Sequence, residues 1–291
     1  MYDRILVATD GSDHAVRATE HGAVLAEAFD ATVHLLCVVD VDDAAGPFSA
    51  GGVDDDYVES LTEAGRSTVE TTASAAGVED LHPVVRTGDV AETILDYVDE
   101  EEIDIVAMGT QGRRGLHRLL TGSVAERVLR QSPVPVLSTR AVDAEAPTGY
   151  EEVLVPTDGS ERAQAAAAHA LAIADRFDSR VHAVSVVDTG DLAMGSDITL
   201  PQGLTQELET TAEEAVTSVR RDAEAAGLDA VTSVGVGRPK SALLSYVSDH
   251  DIDLVCMGTH GRTGLDRVLL GSTTEALVRR AEVPVLTVSP A

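Results

Sequence analysis

Residues 103–123 read Ile103-Asp-Ile-Val-Ala-Met108-Gly109-Thr-Gln-Gly112, nine further residues, then Gly122-Ser123. The apolar, β-branched run at the start has the character of a buried strand, and the segment after Ser123 has a helical period. Between them, the spaced glycines are expected to let the main chain take positive φ and to leave amides uncovered, so that an anion approaches closely. The Gly-Ser step adds the positive end of a helix dipole and a hydroxyl donor. Strand, glycine loop and helix start together describe a phosphate cradle.

The cradle occurs twice. Ile252-Asp-Leu-Val-Cys-Met257-Gly258-Thr-His-Gly261, nine residues and Gly271-Ser272 repeat it 149 positions later. At that offset residues 106–138 and 255–287 agree at 18 of 33 positions, every loop glycine included. Near the start of each half, Ile5-Leu-Val-Ala-Thr-Asp-Gly-Ser12 matches Val153-Leu-Val-Pro-Thr-Asp-Gly-Ser160 at offset 148, so one inserted residue separates the two registers. The 291 residues are therefore read as a tandem duplication, with domains over 1–140 and 150–291. The stretch 140–150, containing Ala144-Glu-Ala-Pro-Thr-Gly149, serves as linker.

Each half alternates β-branched runs with longer Ala-rich helical patterns. Strands are expected near 4–9, 32–39, 82–86, 103–108 and 134–138, with helices near 13–29, 55–76, 90–101 and 122–131. The second half repeats this with strands near 152–157, 180–187, 230–235, 252–257 and 283–288, and helices near 161–177, 204–226, 239–250 and 271–281. Such alternation predicts an α/β fold: two tandem doubly wound, five-stranded parallel sheets with helices on both faces. Right-handed crossovers in strand order 3-2-1-4-5 bring the Thr9-Asp-Gly-Ser12 turn beside the Gly109 loop, where the winding reverses and ligands of open sheets bind.

These motifs carry a resemblance. Val7-Ala-Thr-Asp-Gly-Ser12, Val155-Pro-Thr-Asp-Gly-Ser160, Gly88-Asp89 and the two G-x2-G-x9-G-S loops resemble those of universal stress proteins in their tandem, ATP-binding form. The resemblance implies one adenine-nucleotide pocket per half. It places Ala8, Thr9 and Asp10 against the nucleoside and gives Val38 backbone groups for the adenine edge. Met108 and Gly109 would pass under the ribose, and Gly112, Arg113, Gly122, Ser123 and Val124 would surround the phosphates. The second copy supplies Pro156, Thr157, Asp158, Val186, Met257, Gly258, Gly261, Arg262, Gly271, Ser272 and Thr273. Duller readings stand beside these: Asp10 and Asp158 as turn or cap residues, Arg113 and Arg262 as solvated surface charges. Gly88-Asp89 becomes Gly237-Arg238 in the second half, which changes the charge beside that pocket. The last strands, Val134-Pro-Val-Leu137 and Val283-Pro-Val-Leu286, are expected at a sheet edge. The family pattern suggests that they pair, making the chain an internal pseudo-dimer, with a homodimer of chains also plausible.

Composition bounds the function. Fifty acidic residues face 21 basic ones, a formal charge of −29, and Lys240 is the sole lysine. With 3% aromatics, this reads as a cytosolic protein of a salt-accumulating microbe, a halophilic archaeon by expectation. Disorder is disfavoured by 44% hydrophobic residues in strong periodicity. Nucleic acid and anionic membranes are poor partners for a chain with no basic stripe, and no apolar run approaches the roughly 20 residues of a membrane span. Cys37 and Cys256 fall in different halves within strand patterns and are read as core thiols. A triphosphate approaching so negative a molecule needs help, so magnesium or manganese is expected to arrive on the nucleotide. Neither a P-loop lysine nor H-E-x-x-H is present. A binding and regulatory module is therefore preferred to a slow ATPase, a nucleotidyl enzyme or a nucleotide-free scaffold.

Overall fold

The computed structural model describes residues 1–41, 55–112, 122–141, 145–188, 202–260 and 270–289. Of the expected site residues, Arg113, Gly261 and Arg262 lie outside the described residues. The chain divides into two compact units, Met1–Thr148 and Gly149–Ala291.

The N-terminal unit runs β1 (Arg4–Ala8), α1 (Asp13–Phe29), β2 (Thr32–Val39), α2 (Asp55–Ala76), β3 (His82–Thr87), α3 (Val90–Glu100), β4 (Ile105–Gly109), α4 (Ser123–Gln131) and β5 (Val136–Thr139). Its strands are parallel in the order β3-β2-β1-β4-β5. The C-terminal unit repeats the plan with β6 (Glu152–Pro156), α5 (Glu161–Phe177), β7 (Arg180–Asp188), α6 (Gln202–Ala225), β8 (Ala230–Gly237), α7 (Pro239–Asp249), β9 (Leu254–Gly258), α8 (Ser272–Arg280) and β10 (Val285–Val288). Its order is β8-β7-β6-β9-β10, again parallel. In the N-terminal unit α1 and α2 share one face of the sheet while α3 and α4 share the other, and α5 with α6 and α7 with α8 do the same in the C-terminal unit.

The sheets are doubly covered, so their central strands read as unbroken apolar runs instead of alternating ones. Ile5, Leu6 and Val7 are wholly buried, as are Val153, Leu154 and Val155. Leu6 pairs His34 on one side and Val106 on the other, which puts β1 at the centre and the winding reversal between β1 and β4. Helix α1 begins where Ser12 accepts a hydrogen bond from the Ala15 amide and ends at Asp30 in the left-handed region. Ser160 and Asp178 bound α5 in the same way. These caps explain why both helices are legible to the residue.

Some strand starts differ from expectation. Strand β4 begins at Ile105, because the Asp104 carboxylate turns aside to accept the amides of Asp3 (2.6 Å) and Arg4 (3.0 Å). Asp253 does the same for Glu151 and Glu152, and β9 begins at Leu254. Strand β5 starts at Val136, since Ser132 Oγ first closes a turn on Val134 and Pro135 has no amide to pair.

Candidate functional site

Two loops meet at the carboxyl ends of β1 and β4. In the first, Gly11 takes φ 74° and the side chains close the turn: Thr9 Oγ1 accepts the Gly11 amide (3.0 Å) and Asp10 Oδ1 accepts that of Ser12 (3.0 Å). Thr9 Oγ1 also shares a hydrogen bond with Thr72 Oγ1 of α2 (2.9 Å), which ties the turn to the helix covering it. The second loop comes up against the first so closely that a Cβ at Gly112 would sit 2.5 Å from Asp10 Oδ2. Asp10 is thus both a turn residue and the point of contact between loops. Thr157 and Asp158 hold Gly159 and Ser160 equivalently in the C-terminal unit.

Gly109, Gly112 and Gly258 are required by space, not by φ. None of Gly109, Gly112, Gly122, Gly258 and Gly271 takes a positive φ, contrary to the expectation from sequence. A Cβ at Gly109 would lie 2.7 Å from the Cβ of His14 and 3.0 Å from its carbonyl carbon, because the first turn of α1 crosses the strand end there. At Gly258 the crossing residue is Arg162, at 3.1 Å. A side chain at either point would push the helix off the sheet.

Gly122 has a different task. Its amide is occupied, donating to Thr110 O at 2.8 Å, and Gly271 N–H donates to Thr259 O at 2.8 Å. Gly122 is the N-cap of α4 with φ −63°, and Gly271 that of α8 with φ −60°; neither helix has a side-chain cap bond. The first-turn amides of a helix have no acceptor within it. With glycine at the cap, those of Ser123, Val124 and Ala125 have no acceptor among the described residues, nor do those of Ser272, Thr273 and Thr274. By contrast, Ser12, Asp89 and Ser160 each cap their helices with a side-chain oxygen.

The bare end of α4 opens onto a cavity of about 910 Å³ at the carboxyl edge of the N-terminal sheet. Ala8, Thr9 and Asp10 line it from β1, Val38 from β2, and Met108, Gly109 and Gly112 from β4 and its loop. Gly122, Ser123 and Val124 complete that wall, so every expected N-terminal site residue among the described ones borders one space. In the C-terminal unit Pro156, Thr157 and Asp158 end β6, Val186 lies in β7, Met257 and Gly258 end β9, and Gly271, Ser272 and Thr273 open α8.

Several cavity residues were not anticipated. Leu61, Gly65 and Thr68 of α2 form one wall, with Cys37 from β2 and Asp40 just after it. Their three- and four-residue spacing on one helix face was the available signal. Arg127 was also missed; it stands four residues after Ser123, one turn up the same helix face, and its Nη1 pairs with Asp89 Oδ1 at 2.7 Å. Asp89 caps α3 by accepting the Glu92 amide (2.9 Å). Cys37 and Cys256 are both buried thiols outside any disulfide. Among the described residues, no three His, Cys, Asp or Glu side chains cluster to hold a metal ion, and no helix is long and apolar enough to cross a membrane.

The architecture defines a class: a tandem pair of doubly wound α/β units, each with a glycine loop feeding an uncapped helix at its carboxyl edge. The chain belongs to the universal stress protein family, whose pattern matches residues 1–140 and again 149–289. A universal stress protein of Methanocaldococcus jannaschii is 37% identical over 143 residues, covering 48% of this chain and 82% of its own length. One from Synechocystis is 25% identical across 97% of this chain and 98% of its own. The crystal structure of a universal stress protein from Archaeoglobus fulgidus superposes with a TM-score of 0.71 at 21% identity, covering 99% of this chain and 97% of that one, which shows the same tandem fold.

Proposed function

We propose that this chain is a nucleotide-binding stress-response module with one adenine-nucleotide site per unit, acting through the difference between its bound and free states. The observation that carries the reading is the uncapped start of α4 at a cavity of about 910 Å³, repeated in sequence and cap geometry at α8. That volume lies within the range of small-molecule sites, which run from about 300 to 1,000 Å³. Bare first-turn amides and the helix dipole favour a phosphate. The aliphatic walls of Val38, Leu61 and Met108 suit a purine.

Any metal would be carried by the ligand's phosphates and not by a protein cage, since Asp10, Asp40 and Asp89 border the cavity without clustering. Magnesium or manganese on the phosphates would offset the repulsion that these carboxylates and the net charge of −29 impose. The acidic surface also supports a cytoplasm of high salt as the working environment. ATP is the favoured ligand, with ADP and AMP as alternatives and slow ATP hydrolysis as the second reading. Mass spectrometry of gently purified protein tests the proposal: bound adenine nucleotide is expected. Protein free of nucleotide that also takes up none on incubation with ATP and magnesium would leave the scaffold reading in its place.

A further inference from the structure

The two cradles differ in charge where they are otherwise alike. In the N-terminal unit the cation at the mouth, Arg127, is answered by Asp89 at 2.7 Å, and both side chains line the cavity. A phosphate reaching for that guanidinium has to compete with a carboxylate already in place. In the C-terminal unit the position of Asp89 is taken by Arg238 and that of Arg127 by Ala276. Arg238 is the exposed N-cap of α7; it makes no side-chain cap bond, and Pro239 follows it at the first helical position. Among the described residues, the Arg127–Asp89 ion pair therefore borders the first cradle, beside the carboxylates of Asp10 and Asp40. At the matching place beside the second stands Arg238, which has no ion pair among the described residues.

We infer that the two sites sort nucleotides by phosphate charge. The C-terminal cradle selects the most highly phosphorylated form, and the N-terminal cradle accepts the monophosphate nearly as well. Each added phosphate gains from the uncommitted Arg238 guanidinium in one unit; in the other it gains only by displacing Asp89 from Arg127. Asp89, Arg127 and Arg238 are the specificity-determining residues. The inference rests on the nucleotide reading above and adds a division of labour between its two sites.

The test isolates each site by closing the other with an aspartate at its glycine cap: Gly271→Asp leaves the N-terminal cradle, Gly122→Asp the C-terminal one. Each protein is titrated calorimetrically with ATP and with AMP, without metal, at constant ionic strength. The ratio of ATP to AMP affinity is expected to be about five-fold larger at the C-terminal site, the scale of one exposed charge pair. Asp89→Asn keeps the helix cap, since asparagine caps as well as aspartate, and releases Arg127. It should raise the ratio at the N-terminal site, while Arg238→Gln should lower it at the C-terminal site. Equal ratios at the two sites, or ratios unmoved by both substitutions, overturn the inference while leaving nucleotide binding intact. No uptake of either nucleotide by the unaltered chain overturns both.

Discussion

Gly109, Gly112 and Gly122 look alike in the sequence, yet each is held by a different constraint, and substitution separates them. Gly109→Ala drives a methyl group into the backbone of α1, where the nearest atoms cannot yield, and should destabilise the unit by about 1–3 kcal/mol in denaturant titration. Gly112→Ala meets the end of the Asp10 side chain at 2.5 Å, so the loop should survive while Asp10 is displaced and nucleotide affinity falls. At Gly122 a methyl group would make only ordinary contact, 3.5 Å from Thr110 O, at a φ that any residue adopts. Gly122→Ala is expected to cost only the poorer capping of alanine, about 0.5–1 kcal/mol, and so less than Gly109→Ala. Three equal losses of stability would contradict these assignments. The sequence made the spacing of these glycines plain and misled about their cause. Positive φ is a property of one residue, whereas the crossing of α1 over β4 is a fact of packing that no local pattern states.

At the scale of elements, two histidines at matching places in α1 and α5 give the fold a pH dependence. Burial, with Arg17 nearby, pushes the pKa of His21 from 6.5 down to about 3, and burial lowers that of His169. A group held below its unfolded value contributes stability that is present above pH 6.5 and is lost as the pH falls toward 3. His21→Gln should flatten that acid limb in melts between pH 7 and pH 4. Asp253 acts in the opposite sense. Burial raises its pKa from 3.8 to about 6 although two amides bond to it, so its contribution is present below 3.8 and lost as the pH rises through 6. Asp253→Asn retains an acceptor for those amides and should raise the melting temperature at pH 7 but not at pH 4; the reverse pattern would refute the assignment. The elements themselves were the most legible part of the chain. Helices α1, α2 and α5 have the bounds expected from caps and period. The departures fell on strand starts, where Asp104 and Asp253 divert the backbone through tertiary hydrogen bonds and Ser132 through a local turn, and on the start of α6 and the end of β8, each two residues from expectation.

For the whole molecule the ruling quantity is the charge of −29. Self-repulsion of this size weakens the compact state until counterions screen it, and the Debye length shrinks from about 10 Å at 0.1 M to about 3 Å at 1 M salt. Melting temperature and nucleotide affinity should therefore both rise as potassium chloride is raised across that range. A melting temperature that fell would show that charge repulsion does not govern the stability of this fold. Duplication and charge were readable directly, because identity at a fixed offset and composition need no structure. Arg127 was not, because its ion pair with Asp89 joins residues 38 positions apart across two helices.

On this reading the bare amides of α4 and α8 grip the phosphates of a nucleotide. Aspartate at both caps, Gly122→Asp with Gly271→Asp, would supply the missing side-chain acceptors and place carboxylates where phosphates belong. Calorimetry with ATP and magnesium in molar potassium chloride is predicted to give two sites per chain in the parent. In the double variant affinity should fall by at least about 30-fold while the chain stays folded, as its circular dichroism would show. Unchanged affinity in a folded double variant, or no heat of binding in the parent, would contradict it.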